Sequence, residues 1–95
     1  MKEELGRRTW NFLHYIAKMY PQHPTIDEQH NMIKFIRNLT LIYPCQICKD
    51  HFKYIINTFT PDVSSSSNLS VYFCRIHNMI NKKLNKPVYN CKSLI

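Results

Sequence analysis

Apolar residues recur along this chain at intervals of three and four, the spacing that lines one face of an α-helix. Leu5, Trp10, Leu13, Ile16, Ala17 and Tyr20 mark a first helix over residues 4–20, with Phe12 broadening its stripe. The segment "YPQHP" (20–24) stops it, because proline lacks an amide donor and clashes with the preceding turn. "TIDE" (25–28) is a capping-box pattern, with Thr25 as N-cap and Glu28 reaching back. It opens a second helix whose apolar side is Met32, Ile33, Phe35, Ile36, Leu39 and Ile42. Pro44 punctuates the chain again, and a third helix is predicted from about Cys45 to Thr58, carrying Ile47, Phe52, Ile55, Ile56 and Phe59 inward. "TPDVSSSSN" (60–68) reads as a polar loop. A fourth helix follows from about Asn68 to Asn85, with Leu69, Tyr72, Phe73, Ile76, Ile80 and Leu84 facing inward. Pro87 ends it and leaves "VYNCKSLI" as a short tail. Four amphipathic helices on short connections predict an all-α four-helix bundle, one domain over residues 1–95.

A content of 44% apolar residues supports one modest core and excludes a disordered chain. The net charge of +7 admits nucleic acid, anionic lipid or a phosphate-bearing cofactor. Only "NKKLNK" (81–86) is dense in cations and no nucleic-acid motif accompanies it, so a solvated basic face is expected and no nucleic-acid partner. No apolar run is long enough to span a membrane, and "MKEELGRRTW" is not a secretory signal.

The chemistry begins at "YPCQIC" (43–48). Cys45 falls where the third helix starts, and a helix N-terminus, with its unpaired N–H groups and partial positive charge, favours thiolate over thiol. Cysteines at i and i+3 on a first turn can also close a disulfide, so a reactive dithiol is one reading. Zinc is the other: Cys45 and Cys48 with Cys74 and His77 of "CRIH" would make a Cys₃His tetrahedron. That tetrahedron would place its second pair in mid-helix and leave Cys91 over, and spacing alone keeps both readings open.

Trp10 and His14 are i, i+4 neighbours on the first helix, as are His77 and Asn81 on the fourth, beside Asn78, Lys83 and Lys86. Together they supply an aromatic platform, hydrogen-bonding groups and cations, the set a bundle interior needs to hold a planar ring system bearing a pyrophosphate. No GxGxxG is present, which excludes a Rossmann-type site.

"LGRRTWNFLH" (5–14), "YPQHPT" (20–25), "YPCQICKDHF" (43–52) and "CRIHNMINKKLNKPVYNC" (74–91) resemble, in order and spacing, the catalytic core of the Erv/ALR (augmenter of liver regeneration) flavin-linked sulfhydryl oxidases. The last pattern, C-x-x-H-N-x-x-N-x-x-L-x-K-P-x-x-x-C, is highly specific. The resemblance implies a four-helix bundle with a short fifth helical turn, FAD held non-covalently between the helices, and a homodimer. It implies that Trp10 and His14 contact FAD, with Gly6 and Arg7 at its entrance. Cys74, His77, Asn78, Asn81, Lys83 and Lys86 would line its adenine, ribose and pyrophosphate side. Cys45–Cys48 would be the redox disulfide and Cys74–Cys91 a structural one, with no metal. Asn85 stands where many members carry glycine, and asparagine tolerates left-handed geometry.

The activity implied is thiol oxidation that generates disulfides in protein substrates. A thiolate of a thiol-bearing protein or disulfide-relay partner attacks Cys45, expected to be the more exposed sulfur. Cys48 is then released toward the flavin, and electrons pass to oxygen, giving hydrogen peroxide, or to a cytochrome. The cysteine count leaves no shuttle pair outside the core, which implies direct oxidation of the partner or a shuttle beyond this sequence. The rival readings are a zinc-stabilised Cys₃His interaction module and a basic helical nucleic-acid binder. The mitochondrial intermembrane space is the expected location, with virus-encoded protein in the infected-cell cytoplasm or the secretory pathway as alternatives.

Overall fold

Four helices follow one another in the computed structural model, which describes residues 2–91: α1 (Lys2–Met19), α2 (Ile26–Ile42), α3 (Gln46–Thr58) and α4 (Ser66–Lys83). Among the described residues there is no strand. No described helix is long and apolar enough to cross a membrane.

Each helix is bounded by local chemistry. Glu3 and Glu4 stand in the first turn of α1 and Lys18 in its last, matching the helix dipole at both ends. At α2 the capping box forms in both directions: Glu28 N–H donates to Thr25 Oγ1 at 3.1 Å, and Thr25 N–H donates to Glu28 Oε1 at 2.9 Å. α4 starts at Ser66, earlier than the expected Asn68, because Ser65 is the N-cap and accepts from Asn68 N–H at 3.0 Å. At its other end Asn85 has φ 57°, with Asn85 N–H donating to Lys82 O and Lys86 N–H to Asn81 O. This pair of bonds is a Schellman motif with asparagine in the left-handed C′ position, and Pro87 then prevents resumption of the helix. The short fifth helical turn is entered at Cys91, in 3₁₀ conformation; its remainder lies outside the described residues.

α1 packs chiefly against α4, and α2 against α3. The two pairs close on one core in which Leu13, Ile36, Leu69, Phe73 and Ile76 are fully buried, with Phe52 and Ile56 entering from α3. Burying each such side chain contributes about 1.5–3 kcal/mol. Polar ties secure the end where α3 finishes, at the far end of that helix from Cys45. Tyr20 OH donates to Val63 O at 2.8 Å, Tyr72 OH to Phe59 O at 2.6 Å, and Ser66 Oγ to Ala17 O at 2.7 Å. The serine run is therefore structural, with Ser65 capping, Ser66 tied to α1 and Ser67 bonded to Gln22.

Five residues expected to face inward do not. Ile42, Phe59 and Leu84 stand at helix ends, past the cover of a neighbouring helix, and Ile42 is 75% exposed. Phe12 (57% exposed) and Ile47 (61%) lie off the buried stripes set by Leu13–Ala17 and Phe52–Ile56, because the inner face of each helix is narrower than its apolar content suggests.

Candidate functional site

Two groups of side chains meet across the seam between the helix pairs. On the α2/α3 side, Cys45 and Cys48 form a disulfide with Cα atoms 5.3 Å apart. Cys45 is the N-cap of α3 in extended conformation, and no side chain caps the helix there. Its N–H donates to Tyr43 O at 2.9 Å across Pro44, and its carbonyl accepts the amide of Lys49 at 2.8 Å. The tight turn over Pro44 tucks Cys45 inward. It is only 9% exposed, and Cys48 is the more exposed of the two. The expectation that Cys45 is the more accessible sulfur is corrected accordingly.

On the α1/α4 side, Trp10 and His77 stack nearly flat, with ring centroids 4.2 Å apart and planes inclined by 7°. Gly6, Trp10 and His14 occupy successive turns of one ridge of α1, which brings His14 to the same cluster. His14 Nε2 and His77 Nδ1 are 3.0 Å apart. Burial lowers the pKa of His14. His77 is pushed down to about 4, by burial first and then by His14 and the Lys86 ammonium. Both rings are neutral near pH 7, so one donates its hydrogen and the other accepts it.

Phe52 joins the two groups. It stands one turn after Cys48 on α3 and turns an edge toward Trp10, with ring centroids 6.2 Å apart. Tyr43 turns an edge toward Phe52 in the same way, at 6.5 Å.

The tail folds back beside α4. Cys74 and Cys91 form the second disulfide, with Cα atoms 5.7 Å apart. The Asn78 carboxamide accepts from Tyr89 N–H at 2.8 Å and donates to Tyr89 O at 2.9 Å and to Cys91 Sγ at 3.3 Å. This lays the Tyr89 ring 5.2 Å from that of His77. Asn81 is buried one turn beyond His77, and its carbonyl receives Lys86 N–H. Lys83 reaches across to α3, its Nζ 3.0 Å from His51 Nε2. Arg7 is exposed on α1, one turn before Trp10. Trp10, His14, His77, Asn78 and Asn81 are thus gathered along α1 and α4, with Lys86 just past the end of α4, whereas Lys83 is engaged with His51 of α3.

The zinc tetrahedron does not form. Cys45, Cys48 and Cys74 are all consumed in disulfides, and no described cluster of three or more His, Cys, Asp or Glu side chains could hold a metal. Sequence reasoning missed Thr9, Tyr43, His51 and Tyr89, which reach the site singly and leave no periodic signal, and it read Phe52 only as a core position.

The model of the Erv1 / Alr family matches residues 7–95. The chain is 38% identical over 96% of its length to the FAD-linked sulfhydryl oxidase ERV1 of Arabidopsis thaliana, covering 48% of that protein. It is 39% identical over 94% of its length to the mitochondrial FAD-linked sulfhydryl oxidase ERV1 of Saccharomyces cerevisiae, covering 47%. It therefore spans about half the length of the curated relatives it matches. The crystal structure of the FAD binding domain of Erv1 from Saccharomyces cerevisiae superposes with a TM-score of 0.94 at 38% identity, over 97% of this chain and 88% of that one. With the four helices, the paired cysteines and the 74–91 pattern in agreement with these matches, the chain belongs to the Erv1 / Alr family.

Proposed function

We propose that the chain is the catalytic core of an FAD-linked sulfhydryl oxidase that forms disulfides in a thiol-bearing protein or a disulfide-relay partner. The observation that carries this reading is the placement of the Cys45–Cys48 disulfide one helical turn before Phe52, whose ring edge faces the Trp10–His77 stack.

The residues fit the cofactor. Trp10 offers a flat aromatic face, the two imidazoles and Asn81 offer hydrogen bonds, and Lys86 offers a cation for a pyrophosphate, to which Lys83 would add only by leaving His51. Gly6 adds an independent hint. Glycine inside a helix costs about 0.5–1 kcal/mol relative to alanine. Yet a Cβ there would meet nothing of this chain within 4 Å. Its small size therefore suits the close approach of something outside the chain, on the ridge that carries Trp10 and His14. When bound, FAD supplies the two-electron acceptor chemistry and the route onward to oxygen, giving hydrogen peroxide, or to another acceptor such as a cytochrome.

The protein's own residues do the rest. A donor thiolate attacks Cys45, the sulfur–sulfur bond breaks, and Cys48 leaves as a thiolate on the face it shares with Phe52. A second donor thiol displaces Cys45, releasing the partner as a disulfide and leaving Cys45 and Cys48 with the two electrons. The α3 N-terminus stabilises negative charge on these sulfurs, and Lys49 follows directly in sequence.

A homodimer suits the exposed row Phe12, Tyr15 and Met19 along α1. A mitochondrial location suits the yeast relative's name, and the intermembrane space is the compartment proposed within it. The decisive experiment is a visible absorption spectrum of the purified protein before and after anaerobic addition of a dithiol. Flavin bands that bleach and return with air are expected; a colourless protein would overturn the proposal.

A further inference from the structure

The redox disulfide and the aromatic cluster belong to different helix pairs, so their relative placement depends on what fastens the seam at that end. One hydrogen bond there joins α1 to the turn that carries Cys45: Thr9 Oγ1 and Tyr43 OH are 2.9 Å apart. Its direction is fixed by counting hydrogens. A threonine hydroxyl has one to give. Thr9 gives it to Leu5 O at 2.8 Å, so Tyr43 is the donor and Thr9 the acceptor. Tyr43 is also the residue whose carbonyl holds Cys45 N–H, and its ring edge rests on Phe52. Thr9 immediately precedes Trp10. The bond thus ties the backbone next to the platform to the backbone next to the disulfide.

We infer that Tyr43 and Thr9 are positioning residues: their hydroxyl clasp holds the turn at 43–45, and with it Cys45, in register with Cys48 and against α1. The inference rests on the redox role proposed for Cys45–Cys48. A fixed turn keeps the two sulfurs within bonding reach. Losing the clasp frees the turn more in the dithiol than in the cross-linked state, so it favours reduction. The bond is a neutral one, worth about a factor of 5 in an equilibrium constant. Reduction of Cys45–Cys48 should therefore become easier by up to about 5-fold, a rise of at most about 20 mV at ~30 mV per tenfold for two electrons.

Stability should behave differently. Thr9→Val strands the Tyr43 hydroxyl as a half-buried donor, whereas Tyr43→Phe leaves Thr9 still bonded to Leu5. The double variant strands no donor. Thr9→Val is accordingly expected to be the least stable, with most of its loss recovered in Thr9→Val/Tyr43→Phe.

The test equilibrates the protein as purified, and the three variants, in graded dithiothreitol buffers. Peptide-resolved alkylation then reads Cys45–Cys48 separately from Cys74–Cys91, alongside urea midpoints. The expected result is the same shift toward reduction in all three variants, with stability recovered in the double. A reduction equilibrium that returns to wild type with stability, or that moves in none of them, would overturn the clasp. A colourless wild-type protein would sink the oxidase proposal while leaving this equilibrium readable.

Discussion

Acidification from pH 7 toward pH 4 loads a proton onto a pair of rings built to stay neutral. In the unfolded chain an imidazole titrates near pH 6.5. In the fold, burial, His14 and the Lys86 ammonium hold His77 down to about 4. Between those values the unfolded state binds a proton that the folded state refuses. The stabilisation is therefore whole above about pH 6.5 and is lost as pH falls through about 4. The full shift corresponds to about 3 kcal/mol. His77 is only half-buried, so solvent screens part of this and roughly half is expected to be measured. His14, lowered by burial, acts in the same direction. The assay is urea unfolding followed by circular dichroism at closely spaced pH values and constant ionic strength, on wild type and His77→Phe. Phenylalanine keeps a flat ring beside Trp10 and removes the titration. Its stability should fall less steeply with acid, by up to about 1 kcal/mol per pH unit. Lys86→Gln, which removes one of the charges disfavouring protonation, should fall between the two. Parallel pH curves for wild type and His77→Phe, or a wild type flat from pH 6.5 to 4.5, would refute the assignment.

Three further outcomes are expected. Cys48→Ser should bind flavin and remain yellow but lose thiol oxidation, read as oxygen consumption with a dithiol; an active variant would remove Cys48 from its role. Leu13→Ala opens a cavity at a fully buried position and should cost about 3 kcal/mol, seen as a lower urea midpoint with an unchanged slope. At Asn85, φ 57° costs alanine about 1 kcal/mol or more, so Asn85→Ala should lower the thermal midpoint while Asn85→Gly holds or raises it.

What the sequence disclosed about the fold was whatever repeats or caps locally. The Thr25–Glu28 box needs four consecutive residues and formed as read. Asn85 was legible as a left-handed position, and it closes a Schellman motif. The serine run looked featureless because its three ties run to Ala17, Pro21 and Gln22, residues distant in sequence. The site divides in the same way. The ridge Gly6–Trp10–His14 follows from helical spacing, but its approach to His77 depends on how α1 meets α4. Tyr89 could not be found from any pattern, because the carboxamide of Asn78 positions it. The exposure of Cys45 was misjudged for a related reason: a helix start is ordinarily open to solvent, and here a three-residue turn folds it under.

The histidine pair sets a condition on whatever binds beside it. His14 Nε2 and His77 Nδ1 face each other, which leaves His14 Nδ1 and His77 Nε2 as the outer nitrogens. With both rings neutral there are two hydrogens for four nitrogens, and one is spent inside the pair. If His14 donates inward, His14 Nδ1 is bare and His77 Nε2 carries hydrogen; if His77 donates inward, the reverse holds. The unit therefore presents one donor and one acceptor at opposite ends, and a partner that chooses one end dictates the other. A third hydrogen would turn both ends into donors, and Lys86 opposes its arrival. Neutrality at this position in a chain of net charge +7 preserves the acceptor that a dense array of cations could not supply.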